Sequence, residues 1–500
     1  MGEPFYITTA ISYPNGRPHI GHAYEAIAAD VIARFQRAQG RDVRFQTGTD
    51  EHGLKMVQAA REAGVEPRGY AKEMSNIFQD MCDVLEVEYD RFIRTSEPDH
   101  YRASQAIWAA MEKRGDLYLG RYEGWYSVRD EAFYDESELT DGEGGEKLSP
   151  QGSPVEWTAE ESWFFKLSAY QQPLLDHYAA QPQFIQPDSR RNEVLRFVEG
   201  GLSDLSISRT SFDWGVPAPG HAGHVMYVWL DALTNYITGL GYPDDTELFQ
   251  RYWPADVHLI GKDVVRFHAV YWPAFLMSAG VALPKMVYGH GFLLSSGEKM
   301  SKSIGNVVDP FVLAERFGVD PLRYFLLREV PFGQDGSYSP EAIVNRVNAE
   351  LANSFGNLAQ RTLSMIFKNL GGVIPGPGEA PDDRDLLAIV ASAVDNEVPE
   401  AFERFAFSVG IEAWLKAVFA CNAYVDAQAP WALRKSDPER MAAVLGTLAV
   451  AVRQLAKAIA PVTPASAEKL TELIDGGKDG QPIAQPVPIF PRLELEEAAA

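Results

Sequence analysis

A short polar turn with Pro14, Asn15, Gly16 and Pro18 separates an apolar, β-branched run at residues 5–9 from a stretch where Ala23, Ile27, Ala28, Val31, Ile32 and Phe35 recur at helical spacing. Buried strand, turn, then helix is the opening unit of a parallel sheet, and such sheets need helices on both faces. Gly40 stands where a left-handed helix cap belongs. Residues 42–47 read as the next strand and run out into Thr47-Gly48-Thr49-Asp50-Glu51-His52-Gly53. In a doubly wound sheet, strand ends of this kind face the ligand crevice.

At 500 residues the chain is expected to hold about three or four folding units. Residues 116–222 turn to Gly, Pro, Glu and aromatic side chains with little helical periodicity, as in GEGGEKLSPQGSP, and read as an insert. The α/β pattern returns as strands at 225–229 and 257–261, then a helix through His268 and Trp272, then a strand-like 286–288. From residue 341 onward amphipathic helices, interrupted by GGVIPGPGEAPDD, predict a helical bundle. The expected divisions are 1–115, 116–222, 223–283, 284–340 and 341–500. The closing LELEEAAA reads as a surface strand or helix end with a frayed tail.

The formal net charge of −24, from 69 acidic and 45 basic side chains, argues against indiscriminate nucleic-acid binding. Only Cys82 and Cys421 occur, which excludes a disulfide framework and a four-cysteine zinc site and suits a reducing compartment. No uninterrupted apolar stretch reaches the roughly 18 residues of a membrane span, and MGEPFYITTA lacks the basic and apolar regions of a secretory signal. A cytoplasmic protein with no membrane partner is the expectation.

Two segments carry phosphate chemistry. His19 and His22 sit one turn apart at a helix start, where backbone N–H groups and the helix dipole already favour anions. Gly21 has no β-carbon and lets an adenine ring lie against the backbone. An HxxH pair alone is more often a core or surface pair, and a metal site lacks a third ligand at motif spacing. Lys299 and Lys302 follow Gly297 among serines, on a small loop whose point charges can follow negative charge onto a leaving pyrophosphate. Together the two segments can hold a triphosphate from both sides. Asp50, between glycines at a strand end, reads as functional in its own right. In the bundle, Asn357 and Arg361 share a helix face and can address the Watson–Crick edge of a splayed base, while Trp431, after Pro430, can stack an unpaired one.

His19-Ile20-Gly21-His22 and Lys299-Met300-Ser301-Lys302-Ser303, in this order, resemble the paired signatures of class I aminoacyl-tRNA synthetases. The segments ITTAISYPNGRPHIGHAYE, TGTDEHG, SISRTSFDWGVP, YVWLDALTNY and GKDVVRFH resemble the methionyl-tRNA synthetase family, and the likeness runs through essentially the whole chain. The resemblance implies an α/β architecture: a Rossmann-type parallel-sheet catalytic domain split by a connective insert, then a stem-contact segment with the KMSKS loop, then an α-helical anticodon-binding bundle. It implies ATP with Mg²⁺, methionine, and initiator and elongator tRNA(Met) as reactants. His19, His22, Lys299 and Lys302 would be catalytic and, with Gly21 and Asp263, would bind ATP. Ala10, Ile11, Tyr13, Asp50, Trp229, Ala232, Leu233, Tyr236, Val264 and His268 would form the methionine pocket. Asn357, Arg361 and Trp431 would read the CAU anticodon, and Arg209 matches a mobile arginine near the active site. Asp50 can pair with the substrate ammonium, and aromatic and aliphatic walls suit a polarisable thioether.

One departure concerns zinc. Many members carry four zinc-binding cysteines in the insert, but residues 118–165 contain none. The chain then resembles the metal-free branch, with no structural zinc and with Trp125, Tyr126, Phe133, Tyr134 and Trp157 packing that lobe instead. The chain also lacks the additional tRNA-binding module that dimerises some relatives, so a monomer is expected.

Other readings compete. The isoleucyl, valyl and leucyl enzymes need a large editing insert, because one methylene gives only about 10 to 200-fold discrimination, and an insert of about 100 residues is too small. The cysteinyl enzyme holds its substrate thiol on zinc, whose ligands are missing here. An adenylating nucleotidyltransferase without RNA is disfavoured by Asn357, Arg361 and Trp431. A noncatalytic tRNA-binding chaperone has no need of the histidine and lysine segments.

Overall fold

The computed structural model describes every residue except 1, 131, 143, 144, 296, 297, 300–306, 478, 479 and 496–500, and the side chains of 122, 132, 133, 295, 298 and 299 also lie outside it. The described chain divides into two compact units. One comprises Met1–Ala29, Gln36–Asp83 and Val87–His290, the other Asp30–Phe35, Val84–Glu86 and Gly291–Ala500.

The first unit is built on a six-stranded sheet whose neighbouring strands all pair in parallel. Pro4–Thr9 lies inside it, with Ile7 opposite Phe45 of Asp42–Thr49 on one side and opposite Val257 of Val257–Gly261 on the other. Beyond these, Arg91–Arg94 pairs with Asp42–Thr49, Val287–His290 with Val257–Gly261, and Ile185–Gln186 closes the far edge. Strands covered on both faces need apolar residues in succession, and Tyr6, Ile7 and Phe45 are fully buried. The helix Ile20–Ala38 follows the first strand, and Gly40 ends it with φ +83°. Because the chain leaves Pro4–Thr9 toward one neighbour and returns much later to the other, the strand order reverses there. The crevice opens at the carboxyl ends of these strands.

The expected strand at 225–229 is corrected. Only Val225–Met226 is extended, and it pairs antiparallel with Ser208–Arg209 outside the main sheet. Val228–Thr238 is a helix, buried at nearly every position. A run buried all round has no polar face to reveal its period, so it reads equally well as a strand.

Within residues 116–222, Leu117–Ser127 and Glu156–Phe165 form a long antiparallel hairpin. Its outer end has a small core of Tyr134 and Val155 with Trp125 and Leu139. Trp157 is 57% exposed and meets Trp125 only edge-on, so it does not pack that lobe as expected. Tyr126 is buried, and the side chain of Phe133 lies outside the described residues. The polar centre is an Asp130 carboxylate that accepts from Ser149, Ser153 and Tyr134.

In the second unit, Leu293–Ser295 pairs with Glu298–Lys299 and Gly336–Tyr338. Helices follow, including Pro340–Arg346, Asn357–Asn369, Pro381–Ser392, Phe407–Gln428, Pro430–Ser436, Pro438–Ile459 and Pro464–Asp475. Many open with proline, whose missing N–H costs nothing in a first turn. Pro438–Ile459 has the length and mean hydropathy, 1.5, of a membrane span. Its Leu448, Val452 and Leu455 are instead buried in the bundle. Residues 493–495 form no regular element, and the expected frayed tail, 496–500, lies outside the described residues.

Candidate active site and RNA-binding face

His19 and His22 stand where the first strand hands over to its helix. The His19 backbone N–H donates to His22 Nδ1 at 3.0 Å, and the Gly21 N–H donates to His19 Nδ1 at 3.0 Å. The rings therefore occupy two of the helix's leading amide donors. With Nδ1 accepting, each neutral ring carries its hydrogen on Nε2, a donor suited to a phosphate oxygen. A β-carbon at Gly21 would stand 2.8 Å from the His19 ring, so glycine leaves room for this arrangement.

The sequence reading missed two neighbours. Glu25, one turn beyond His22, lies 2.9 Å from His290 Nε2 at the end of Val287–His290. Burial raises the Glu25 carboxyl, the His290 contact opposes this, and nearby Asp263 adds to the rise. Asp263 is exposed just past Val257–Gly261, with its carboxylate folded over Gly261. Spacing on the helix, 22 to 25, was the only signal for Glu25.

The methionine-pocket residues expected from the resemblance come from four segments of the first unit. Residues 10–13 are stitched between strands, with Ala10 N donating to Leu259 O, Ser12 N to Gly48 O, and Asp50 N to Ser12 O. Gly48 is required there, because a β-carbon would fall 2.0 Å from Ile93 O. Asp50 is buried at the strand end. The Tyr13 hydroxyl accepts from the Met56 N–H at 2.9 Å. Trp229, Ala232, Leu233 and Tyr236 share one face of Val228–Thr238. Trp229 stacks on Phe267 at 3.8 Å, and its buried Nε1 has no hydrogen-bond partner among the described residues. Tyr236 stacks on His258 at 4.1 Å and meets His268 through its hydroxyl. His268 lies in a π-helical turn, Phe267–Tyr271, a widening often found at functional sites. Ala10, Tyr13, Trp229, Leu233, Tyr236 and Val264 join one apolar cluster, whereas Ile11 and Ala232 lie on the same segments outside it.

Arg209 is buried. It donates to Ser206 Oγ at 2.9 Å and Ser208 O at 2.6 Å, and lies over the Tyr227 ring at 4.7 Å.

In the second unit Lys299 lies opposite Leu294 in a short strand pair, while Lys302 falls outside the described residues. Asn357 opens its helix, exposed, directly after the π-helical stretch Val347–Gly356. Arg361, one turn on, reaches Asp426 Oδ1 and Asn422 Oδ1, both at 3.4 Å. Asn422 in turn donates to Ser354 O and Val418 O. Trp431 is 51% exposed at the start of Pro430–Ser436, and Arg434 of that helix reaches Asn369 at the end of Asn357–Asn369.

Comparisons with known proteins give the family. Residues 5–363 match the family model for class I tRNA synthetases (M), and residues 381–486 match the anticodon-binding domain of methionyl tRNA ligase. The chain is 56% identical to the methionine–tRNA ligase of Brucella suis over 99% of both chains. It is 54% identical to that of Mycobacterium tuberculosis over 98% of both. The solved structure of Mycobacterium tuberculosis methionyl-tRNA synthetase in complex with methionyl-adenylate superposes with a TM-score of 0.95, at 54% identity, over 98% of this chain and 100% of the other. With two family models end to end and full-length relatives at this identity, the chain belongs to the methionyl-tRNA synthetase family of class I.

Proposed function

We propose that the chain is a methionine:tRNA ligase working in two steps at one site. A methionine carboxylate oxygen attacks the α-phosphorus of ATP, and the bond to the β-phosphate oxygen breaks, giving methionyl-adenylate and pyrophosphate. The terminal adenosine hydroxyl of tRNA(Met), initiator or elongator, then attacks the acyl carbon, losing its proton as AMP departs. Mg²⁺ enters as the counterion of the ATP substrate. No side chain need be a nucleophile.

The observation that carries this reading lies in the first unit. Buried Asp50 and the His19–His22 helix start follow two adjoining strands of one parallel sheet, and the helix of the Trp229–Tyr236 wall is bonded to those same strands, Tyr6 Oη donating to Tyr236 O and Gln46 Nε2 to Asn235 O. Asp50 takes the ammonium, the aromatic wall takes the thioether, and the Nε2–H donors of His19 and His22 take phosphate oxygens. Gly21 and Asp263 serve the adenosine. Lys299 and Lys302 stabilise the charge that develops on the departing pyrophosphate. Asn357, Arg361 and Trp431 select the anticodon. Both cysteines are buried, which fits a reducing cytoplasm.

Pyrophosphate exchange screened across the amino acids tests the reaction and the specificity together. Methionine alone should support fast exchange. Exchange driven equally by another amino acid would overturn the assignment.

A further inference from the structure

Asp231 is fully buried, and its carboxylate lies between two imidazoles: His52 Nδ1 is 2.6 Å from Oδ2 and His100 Nε2 is 2.6 Å from Oδ1. Burial pushes this carboxyl up, but the two rings outweigh it and hold it at about 2. An ionised carboxylate only accepts, so both ring nitrogens donate to it. The other ring nitrogens are also engaged, His52 Nε2 with Tyr101 Oη at 3.0 Å and His100 Nδ1 with Thr238 Oγ1 at 3.0 Å. Trp214 packs edge-on to His52 and donates to Glu51 O at 2.6 Å.

The cluster joins three segments. His52 is two residues beyond Asp50, Asp231 sits in the helix that carries Trp229 and Tyr236, and His100 belongs to Pro98–Arg114. At 3.6 residues per turn, Asp231 points roughly 150° away from the pocket-facing residues of its helix. It therefore touches no substrate. A buried ionic cluster is seldom worth more to stability than apolar side chains of equal volume, so its cost points to placement rather than cohesion.

We propose that Asp231, with His52 and His100, is the positioning device of the methionine site, setting the distance between Asp50 and the Trp229–Tyr236 wall and thereby the affinity for methionine. This rests on the assignment of Asp50, Trp229 and Tyr236 to methionine.

The test uses the full chain in methionine-dependent pyrophosphate exchange, with folding checked by urea unfolding. His52→Ala should raise KM for methionine about tenfold, as for the loss of one hydrogen bond to a charged group, with KM for ATP and kcat within about twofold of the parent. His52→Asn, whose amide N–H can replace Nδ1–H, should restore KM toward the parent value. A folded His52→Ala with unchanged KM for methionine, a parallel rise in both KM values, or an Asn variant as poor as Ala would overturn the proposal. Should His52→Ala fail to fold, Tyr101→Phe removes only the hydroxyl at His52 Nε2. A rise of about threefold in methionine KM then supports the proposal, and no rise overturns it. Asp50→Ala separates the two layers. If it leaves methionine KM unchanged, the pocket assignment itself fails. If it raises KM while His52→Ala does not, only the positioning role fails.

Discussion

The hydroxyl of Tyr236 lies 2.6 Å from His268 Nε2, and the other ring nitrogen, Nδ1, lies 2.9 Å from the carbonyl of Val264. A carbonyl only accepts, so Nδ1 carries the hydrogen and Nε2 accepts the hydrogen bond that the Tyr236 hydroxyl donates. Burial lowers His268 to about 4, so the ring is neutral near pH 7. The pair is oriented, uncharged and internally satisfied, which suits a polarisable thioether and penalises a charged side chain. Tyr236→Phe leaves a buried acceptor without its donor. It should cost about 1–3 kcal/mol of stability in urea unfolding and raise KM for methionine.

The same histidine predicts a pH dependence. Between the ordinary value of 6.5 and about 4, the unfolded chain binds a proton that the folded chain does not. Unfolding free energy therefore falls as pH drops through that window, by up to roughly 3 kcal/mol, with no further loss below it. Burial lowers His258 in the same direction. Urea midpoints from pH 7 to pH 4 should show a shallower decline for a His268→Gln variant than for the parent.

Lys302→Ala should slow adenylate formation by about 10²- to 10³-fold, the usual loss when one group stabilising transition-state charge is removed. Methionine affinity should stay near that of the parent. Single-turnover activation followed by rapid quench checks this, and unchanged activation would remove Lys302 from the reaction.

Trp431 is half exposed at a helix entrance, and the proposed anticodon role has its indole stack an unpaired base. Trp431→Ala should weaken tRNA(Met) charging by about 1–3 kcal/mol and spare pyrophosphate exchange without tRNA. Equal loss in both assays would refute the anticodon role.

In the second unit, fully buried Arg323 reaches Asp30 at 2.5 Å and donates to the carbonyls of Leu85, Pro461 and Val462. Arg323→Ala leaves a buried carboxylate and several carbonyls short of donors. The expected cost is about 3–5 kcal/mol, measured by urea unfolding.

Local signals carried much of the fold into view. The strands near 5–9 and 257–261 were legible because two-sided burial demands largely apolar runs between turn residues, and 42–47 because Val43 and Phe45 alternate with Asp42, Arg44 and Gln46. Gly40 was legible because only its φ of +83° suits that helix end. Val228–Thr238 was half misread, since complete burial erased its period. The motif residues were named as candidates from their order along the chain. The contacts around them could not be read there, because Glu25 and His290 are 265 residues apart and His52 and Asp231 are 179 apart. Isolated histidines and carboxylates of this kind carry no local pattern. The serine and aspartate centre of the insert was hidden for the same reason.

Pairing of Ile7 with Val257 spans 250 residues, and it sits inside the sheet. At about 5–20 residues per second, the ribosome takes on the order of 10–50 seconds to deliver the second strand after the first. Throughout that interval the first strand has one edge without its final partner and exposed backbone donors and acceptors. Nascent chains of this protein should therefore be long-lived clients of cellular holding factors, and synthesis rate should govern yield more strongly than final stability does.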